Sequence, residues 1–237
     1  MKAACVFLCL AAVLAFADAP YSPFAKSGVF LSGDYGVTLR SGSVTLNGSE
    51  TGVVIPNFNS GAVSLGIIRG ILPDLALRLA LSMGSGREKG ERLYNSVYDG
   101  SNYHAMRLSY AHSYTGFYPD LLYTLRPQGR LFPFLFAGTG ISSYTVSRSA
   151  AIEDSTLYNG SSVKLPGENS FGSIAFNATA GLGCLWMYGA NMGVLIQYKF
   201  RYWQPVSYDE ELVEGMATTY SETHFSNQLE GGLFFHF

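Results

Sequence analysis

Apolar and polar residues alternate one by one along much of the chain, which is the period of a β-strand with two different faces. At 75–83 every odd position is Leu or Met, and the even positions are Ala, Arg or Ser. At 191–203 the even positions are bulky and apolar, whereas the odd positions include Asn, Gln, Lys and Arg. The segments 171–187 and 225–237 largely repeat this pattern. The alternation predicts an all-β fold.

Eight strands are predicted from this pattern, with turn residues between them. They are placed at 28–40, 60–70, 75–83, 104–125, 132–147, 171–187, 191–203 and 220–237. Short turns at 71–74, 126–129 and 188–190 alternate with longer polar connections at 41–59, 84–103, 149–170 and 204–219. Such alternation, with both termini at the end that has the short turns, predicts an antiparallel up-and-down meander that closes into a barrel.

The fourth predicted strand is longer than one tilted membrane crossing of about 9–11 residues requires. Its apolar face also changes parity, because Leu108 lies at an even position and Leu121 and Tyr123 lie at odd ones. A β-bulge near Gly116, next to Pro119, would reconcile the two halves. The upper half would then stand above the membrane, paired with the outer end of the third strand. A ten-stranded barrel, with an extra hairpin here and another in a long loop, is the alternative.

The difference between the two faces favours a transmembrane eight-stranded barrel over a soluble β-sandwich. The apolar faces are uniformly bulky, and the opposite faces combine glycine, small polar residues and single charges. Only 14% of the 237 residues are charged and 27 are glycine, so neither face suits bulk water. A closed barrel is the β-structure that pairs every backbone polar group within lipid. The near balance of 15 Lys and Arg against 17 Asp and Glu excludes a generic nucleic-acid-binding surface.

Residues 1–17 have the composition of a secretory signal peptide. Lys2 precedes fifteen uninterrupted apolar residues, a run that is too short for a comfortable helical span. Ala15 and Ala17 fit a small-residue cleavage site, so we expect a mature barrel domain at 18–237. No cysteine is placed as a lipoprotein requires. Cys184, the single cysteine left after cleavage, has no partner for an internal disulfide.

Two segments resemble those of small bacterial outer-membrane barrels. The first, at 132–141, has a Pro-aromatic start followed by Gly138 and Gly140 at alternate positions. The second is the ending at 231–237, which has a terminal aromatic residue with aromatic or apolar residues at alternate positions before it. Together with the signal peptide, they make the chain similar to the OmpA-like and OmpX-like eight-stranded barrels. Unlike many OmpA-like proteins, the chain is expected to lack a peptidoglycan-binding domain, since it stops at Phe237.

The resemblance implies a place in the outer membrane, with periplasmic termini and extracellular long loops. It also implies that the barrel-assembly machinery recognises the last strand during biogenesis. Phe237 would be the critical residue of this assembly signal, supported by Phe235 and Leu233. The implied partners in the membrane are outer-membrane lipids and lipopolysaccharide.

Several charged residues lie at positions that alternation points into the barrel. They are Asp34, Arg40, Arg78, Lys199, Arg201 and Glu230. An eight-stranded barrel is only wide enough for side chains to fill, so charges buried there must pair. The favoured interpretation is a structural charge network that plugs the lumen. The alternative is a narrow gated pore for small solutes, in which the pairs exchange partners.

One pair of residues resembles part of a catalytic site. His224 and Ser226 are similar to the His-x-Ser of the lipid A deacylase barrels, in which an acid orients the histidine. Glu230 is the only nearby acid on the same face. That family's site faces lipid, whereas an outward Phe237 places His224 and Ser226 inside. We therefore expect no enzymatic activity and no cofactor, with a lipid A-modifying enzyme as the most remote hypothesis.

Two of the long connections carry most of the loop charges. The connection at 84–103 contains charges of both signs, namely Arg87, Glu88, Lys89, Glu91 and Arg92. This mixture indicates a solvated loop. The connection at 204–219 is acidic, with Asp209, Glu210, Glu211 and Glu214. It could hold a divalent cation at the lipopolysaccharide surface, although a solvated loop is favoured. The four histidines lack metal-ligand spacing, so no resident metal is expected.

Aromatic residues near the two rims are expected to anchor the barrel at the membrane interfaces. The predicted anchors are Trp186, Tyr198, Tyr202 and Trp203. The predicted role of the barrel is structural or surface-facing, either in membrane integrity or in loop-mediated adhesion to an extracellular ligand.

Overall fold

In the computed structural model, the described residues are Phe24 and 27–98, 103–125, 130–153, 170–189, 191–213 and 216–237. The predicted signal peptide at 1–17 and the predicted turn at 126–129 lie outside these residues. Within the described ranges, no helix is long and apolar enough to cross a membrane.

Ten strands make up the described part of the chain. They are β1 Gly28–Leu46, β2 Ser49–Glu50, β3 Phe58–Leu72, β4 Leu75–Glu88, β5 Arg92–Tyr98, β6 Tyr103–Thr124, β7 Leu131–Glu153, β8 Ser170–Met187, β9 Met192–Val213 and β10 Met216–His236.

The eight long strands close into one antiparallel barrel. Each of them pairs with the long strands that precede and follow it, and β1 also pairs with β10 from Gly28 opposite His236 to Leu46 opposite Thr218. The predicted eight-stranded up-and-down barrel is confirmed. The two further strands extend the wall and leave the number of barrel strands at eight, because β2 pairs only with the end of β1 and β5 only with β6. The ten-stranded alternative is therefore wrong.

The strands run well past the predicted boundaries on the side of the long connections. β4, the shortest of the eight, has 14 residues and β7 has 23, against about 9–11 for one crossing. Much of the sequence predicted as loop at 41–59, 84–103 and 204–219 is therefore strand. β1 even turns back onto itself through Asn47 and Gly48, whose φ angles of 48° and 80° suit a two-residue hairpin.

The bulge predicted near Gly116 is absent from the described ladders. β6 pairs with β4 in one continuous register from Tyr123 to Ala111, and its register shift against β7 lies at Ser109/Tyr110. The parity change has a different cause. All even positions from Leu108 to Thr124 point into the barrel, so the apolar side chains of the upper half belong to an interior core and not to the lipid face. The upper half does stand beside the extended end of β4, as predicted.

The outer wall carries a broad apolar band, and the interior is layered. Outward side chains such as Leu65 and Leu81 are 58% and 60% exposed, as expected for a lipid-facing surface. The interior near the short turns is an apolar cluster that includes Phe24, Phe134 and Phe234. A second cluster, rich in tyrosine, fills the extension beyond the band. Charged side chains lie between and beside these clusters.

Candidate functional site: the charged interior of the barrel

The lower charged layer lies above the apolar cluster at the short-turn end. Arg78 of β4 donates to Asp120 of β6, with Nη2 2.7 Å from Oδ2 and Nε 3.0 Å from the same oxygen. Lys199 of β9 lies between two carboxylates, with Nζ 2.7 Å from Asp34 Oδ2 and 2.9 Å from Glu230 Oε2. Each pair therefore joins different strands.

Neutral groups complete the contacts of this layer. Gln197 accepts a hydrogen bond from Arg78 at 2.8 Å and donates one to Glu230 at 2.6 Å, so it links the two ion-paired groups. Ser32 also donates to Glu230, at 2.5 Å. These bonds connect Arg78, Gln197 and Glu230 of three strands in one network, whereas Asp34 Oδ1 has no hydrogen-bond partner among the described residues.

The structure brings together four of the charged residues predicted for the lumen, namely Asp34, Arg78, Lys199 and Glu230. Arg201 also points inward and is buried, yet no carboxylate lies within salt-bridge distance of it in the described part of the chain. Its guanidinium instead stacks over aromatic rings, 4.2 Å from the centre of Tyr118 and 5.4 Å from that of Trp203. Asp120, the partner of Arg78, was missed.

The upper charged layer is built from Arg40, which alternation points inward, and from three residues that the sequence pattern did not group with it. Glu88 of β4 and Glu222 of β10 each contact Arg40 and Arg92. Arg92 Nη2 lies 2.6 Å from Glu88 Oε1 and 3.1 Å from Glu222 Oε1. Both carboxylates and both guanidinium groups are fully buried. The solvated loop predicted for Glu88 and Arg92 is therefore wrong, because the strands continue and turn these side chains inward.

Two histidines lie against this layer. His112 Nε2 is 3.1 Å from Glu88, its Nδ1 is 2.9 Å from the Tyr144 hydroxyl, and its ring stacks on Phe58 with centres 4.5 Å apart. His224 Nε2 is 3.0 Å from Glu222 Oε2. Each histidine therefore shares a carboxylate with two arginines.

The pKa values of titratable groups in this layer are shifted by burial and by neighbouring charges. Glu88 and His112 both lie five residues beyond the apolar band, which ends at Met83 on β4 and at Phe117 on β6. Burial lowers the pKa of His112 to about 4, although the hydrogen bond to Glu88 works in the opposite direction. Burial alone would raise the pKa of Glu88, but the bond from His112 and the charges of Arg92 and Arg40 lower it to about 2. The layer thus holds ionised carboxylates beside a neutral histidine at neutral pH.

A third charged site lies beyond the upper layer. Glu210 Oε1 accepts from Arg148 at 2.6 Å, and its Oε2 accepts from the hydroxyls of Tyr110 at 2.7 Å and Tyr220 at 3.1 Å. Glu210 is therefore buried, not part of a solvated acidic loop. The predicted loop residue Glu214 lies outside the described residues, and no described cluster of His, Cys, Asp or Glu could hold a metal ion.

Buried acidic and basic side chains are equal in number within the described chain. Six are basic and six are acidic, namely Arg40, Arg78, Arg92, Arg148, Lys199, Arg201, Asp34, Glu88, Asp120, Glu210, Glu222 and Glu230. The cavity among the lower-layer side chains has a volume of only about 10 Å³, room for about one water molecule. The interior at that level is filled and the buried charges balance.

The arrangement required for a His-Ser catalytic pair is not formed. His224 and Ser226 are both buried inside the barrel, as expected when Phe237 and the other odd positions of this strand point outward. Ser226 accepts a hydrogen bond from Thr38 at 3.1 Å, and His224 contacts Glu222. Glu230 belongs to the lower layer, where it contacts Lys199. No described hydrogen bond joins the serine to the histidine, so this pair has no activated nucleophile.

The predicted interface anchors divide into two groups. Trp186, Tyr198 and Tyr202 point outward, and Trp186 is 50% exposed. Trp203 is 3% exposed and packs inside against Tyr114, with ring centres 4.9 Å apart, so its assignment as an interface anchor is wrong. It follows Tyr202 directly and has the opposite parity, which turns it inward.

The residues of the predicted assembly signal lie along the last strand. Phe237 is 76% exposed and Leu233 is 43% exposed, and both point outward. Phe235 lies between them on the same face and pairs with Val29 of β1 and Met192 of β9. The last strand therefore presents this apolar face at the β1–β10 seam, where the barrel closes.

Neither a protein-family model nor a curated protein matches the sequence. Similar solved structures include Neisserial surface protein A, 13% identical with a TM-score of 0.44, covering 88% of this chain and 97% of that chain. The outer membrane protein OprG from Pseudomonas aeruginosa is 14% identical with a TM-score of 0.47, covering 90% and 97%. Ail, the attachment invasion locus protein of Yersinia pestis, is 10% identical with a TM-score of 0.32, covering 86% and 98%.

The geometry of the chain itself defines its class. Its backbone ladder is closed, its outer wall is apolar and its interior holds the charged and hydrogen-bonded side chains. This distribution of polar groups is the reverse of that in a water-soluble barrel and is the one that lipid requires. The chain is an eight-stranded up-and-down barrel of the outer-membrane type.

Proposed function

We propose that the protein is a non-conducting outer-membrane barrel with a structural and surface-facing role. The observation that carries this proposal is the charged interior of the described residues, which is filled at the level of the lower layer and in which six basic side chains balance six acidic ones. Moving an ion through such an interior requires breaking buried pairs, and each charge left unpaired costs several kcal/mol. We propose no enzymatic activity, since His224 and Ser226 do not form a catalytic pair.

The extension beyond the apolar band supports the surface-facing part of the proposal. Its interior is packed by Tyr110, Tyr208 and Tyr220, so the strands stay joined by a core beyond the apolar band. Its outer face consists mainly of small hydroxyl residues, for example Ser113 on β6 and Thr219 on β10. This surface suits the polar layer above the lipid better than the lipid itself.

The same features support a proposed orientation of the barrel in the membrane. The start of β1 and the end of β10 lie at the end with the apolar interior cluster, and the extension lies at the other end. We propose that the termini are periplasmic, in which case the extension would lie outside the cell, contact lipopolysaccharide and carry any adhesive surface. Membrane integrity and adhesion are therefore the two forms that this role takes.

Single-channel conductance of the refolded chain in a planar bilayer tests the proposal against the narrow pore. Folding is first verified by a heat-modifiable shift in gel mobility, and a porin reconstituted in parallel shows that the bilayer reports conductance. We expect the folded barrel to give no discrete current steps. Reproducible steps from the folded sample would overturn the proposal and identify a pore.

A further inference from the structure

A groove of about 810 Å³ lies in the outer wall at the upper part of the apolar band. Its floor is formed by the small side chains of Thr139 on β7 and Ala178 on β8, which are paired across the two strands. Bulky outward residues, including Phe117, Phe176 and Tyr202, surround this floor. The groove is therefore a depression in a surface that is otherwise covered by large apolar side chains.

The floor of the groove coincides with a break in the backbone ladder. Phe117 of β6 pairs with Ile141 of β7, and Asp120 pairs with Gly138. The residues between these two pairs are not paired with each other. Leu125 donates its N–H to Pro133 of β7, so by alternation the backbone groups of odd-numbered residues in β6 face β7. Pro119 thus faces Thr139 and has no N–H to donate.

The carbonyl of Thr139 consequently lacks the strand donor that every neighbouring position has. No hydrogen bond to it is found within the described residues. A backbone carbonyl without a donor costs several kcal/mol in hydrocarbon, where no water replaces the missing partner. An occupant of this groove is favoured if it supplies both an apolar chain and one hydrogen-bond donor.

We propose that this groove binds one acyl chain of a membrane lipid whose chain carries a hydroxyl group. The chain packs over Ala178 between Phe176 and Tyr202, and its hydroxyl donates to the carbonyl of Thr139. Hydroxyacyl lipids of the surrounding leaflet contact the outer wall of the barrel directly, and they carry both the apolar chain and the hydroxyl group. The inference rests on the proposed place of the barrel in the outer membrane.

The test is lipid competition followed by native mass spectrometry of the refolded barrel. The detergent contains equal amounts of a β-hydroxyacyl lipid, the plain acyl form of the same lipid and the free β-hydroxy fatty acid. We expect one hydroxyacyl lipid to be retained about five- to tenfold over the plain form, which is the effect of one hydrogen bond. Equal retention of the two lipids, or preferred retention of the free acid, would overturn the assignment.

Three variants locate the site. Ala178→Trp fills the groove and should lower lipid retention at least tenfold, whereas Leu65→Trp adds the same ring to the apolar band outside the groove and should not. Pro119→Ala restores the ladder donor and should reduce the preference for the hydroxyacyl lipid to about one. Unchanged retention by Ala178→Trp or unchanged preference in Pro119→Ala contradicts the inference.

All samples are first checked for heat-modifiable folding. A folded, non-conducting barrel without lipid selectivity would refute the groove assignment and leave the proposed function standing. Discrete channel currents would refute the proposed function instead, whatever lipid is bound.

Discussion

The guanidinium of Arg78 lies 2.7 Å from the carboxylate of Asp120, and both side chains are buried inside the barrel. This pair spans two neighbouring strands, β4 and β6, and removing one partner leaves a charge enclosed without its counter-ion. Breaking a buried pair in this way costs more than replacing both partners by apolar residues.

Arg78→Leu is therefore expected to lower the free energy of unfolding by about 3–5 kcal/mol. The double variant Arg78→Leu/Asp120→Leu should recover a large part of that loss, since it leaves no unpaired carboxylate. Urea unfolding in lipid vesicles measures both. A double variant that loses the sum of the Arg78→Leu and Asp120→Leu losses would show that the pair is not coupled.

The stability of the upper charged layer is expected to depend on pH through His112. The unfolded histidine titrates near 6.5, whereas the pKa of the buried ring is lowered to about 4, mainly by burial. The unfolded chain therefore takes up the proton first, so the stability contributed by the neutral ring is complete above pH 6.5. It should decline by up to about 3 kcal/mol as the pH falls to about 4.

Unfolding free energies measured across that pH range check this prediction. His112→Gln should flatten the dependence. A wild-type curve that is flat between pH 6.5 and 4 would contradict a neutral His112.

Gly138 is expected to be intolerant of any side chain. A Cβ atom at this position would collide with the backbone carbonyl oxygen of Pro119 and with the Asp120 side chain. Gly138→Ala should therefore destabilise the barrel by about 1–3 kcal/mol. Gly231→Ala is the matched control, because its Cβ would meet open space and should change stability by less than about 0.5 kcal/mol. Thermal unfolding compares the two, and similar effects would contradict the close approach of β6 and β7.

Phe237 is expected to matter for assembly in cells more than for stability. Phe237→Ser should lower the amount of barrel in the outer membrane several-fold, since the terminal aromatic residue is the predicted recognition signal. The same variant should refold in detergent as the wild type does. Leu229→Ser, an outward substitution in the same strand, controls for lost lipid contact. An equal loss of assembly in both variants would argue against a specific terminal signal.

The strand count and the barrel class could be predicted because the side-chain period is two and lipid imposes one polarity on each face. The ends of the strands could not. At 84–88 the outward residues become polar as β4 leaves the band, so the segment has the composition of a loop although the ladder continues. The polarity of the outward residues depends on whether they face lipid or water. It therefore changes at the membrane surface and does not mark the end of the strand.

The same effect explains the charged residues that were missed. Glu88 lies on the inward parity of Ser82, which was assigned correctly, and extending this parity by six residues would have found it. Asp120 lies next to Leu121 on the opposite parity, so the outward assignment of Leu121 and Tyr123 already places it inside, and the same rule would have found it. Arg92 belongs to β5, a separate strand after a turn, and no periodicity connects it to the interior. Arg92 is buried beside Glu88 and Glu222, two carboxylates that lie far apart in the sequence and come together only in the folded barrel.

The upper charged layer also determines how the barrel can close. Arg40 of β1 contacts Glu88 of β4 on one side and Glu222 of β10 on the other, and β10 follows all the other described strands in the chain. An open sheet that lacks the β1–β10 seam would separate Glu222 from Arg40 and Arg92, although Glu88 would keep both arginines. Partly closed barrels are therefore high-energy species, and closure and charge neutralisation occur as one cooperative event.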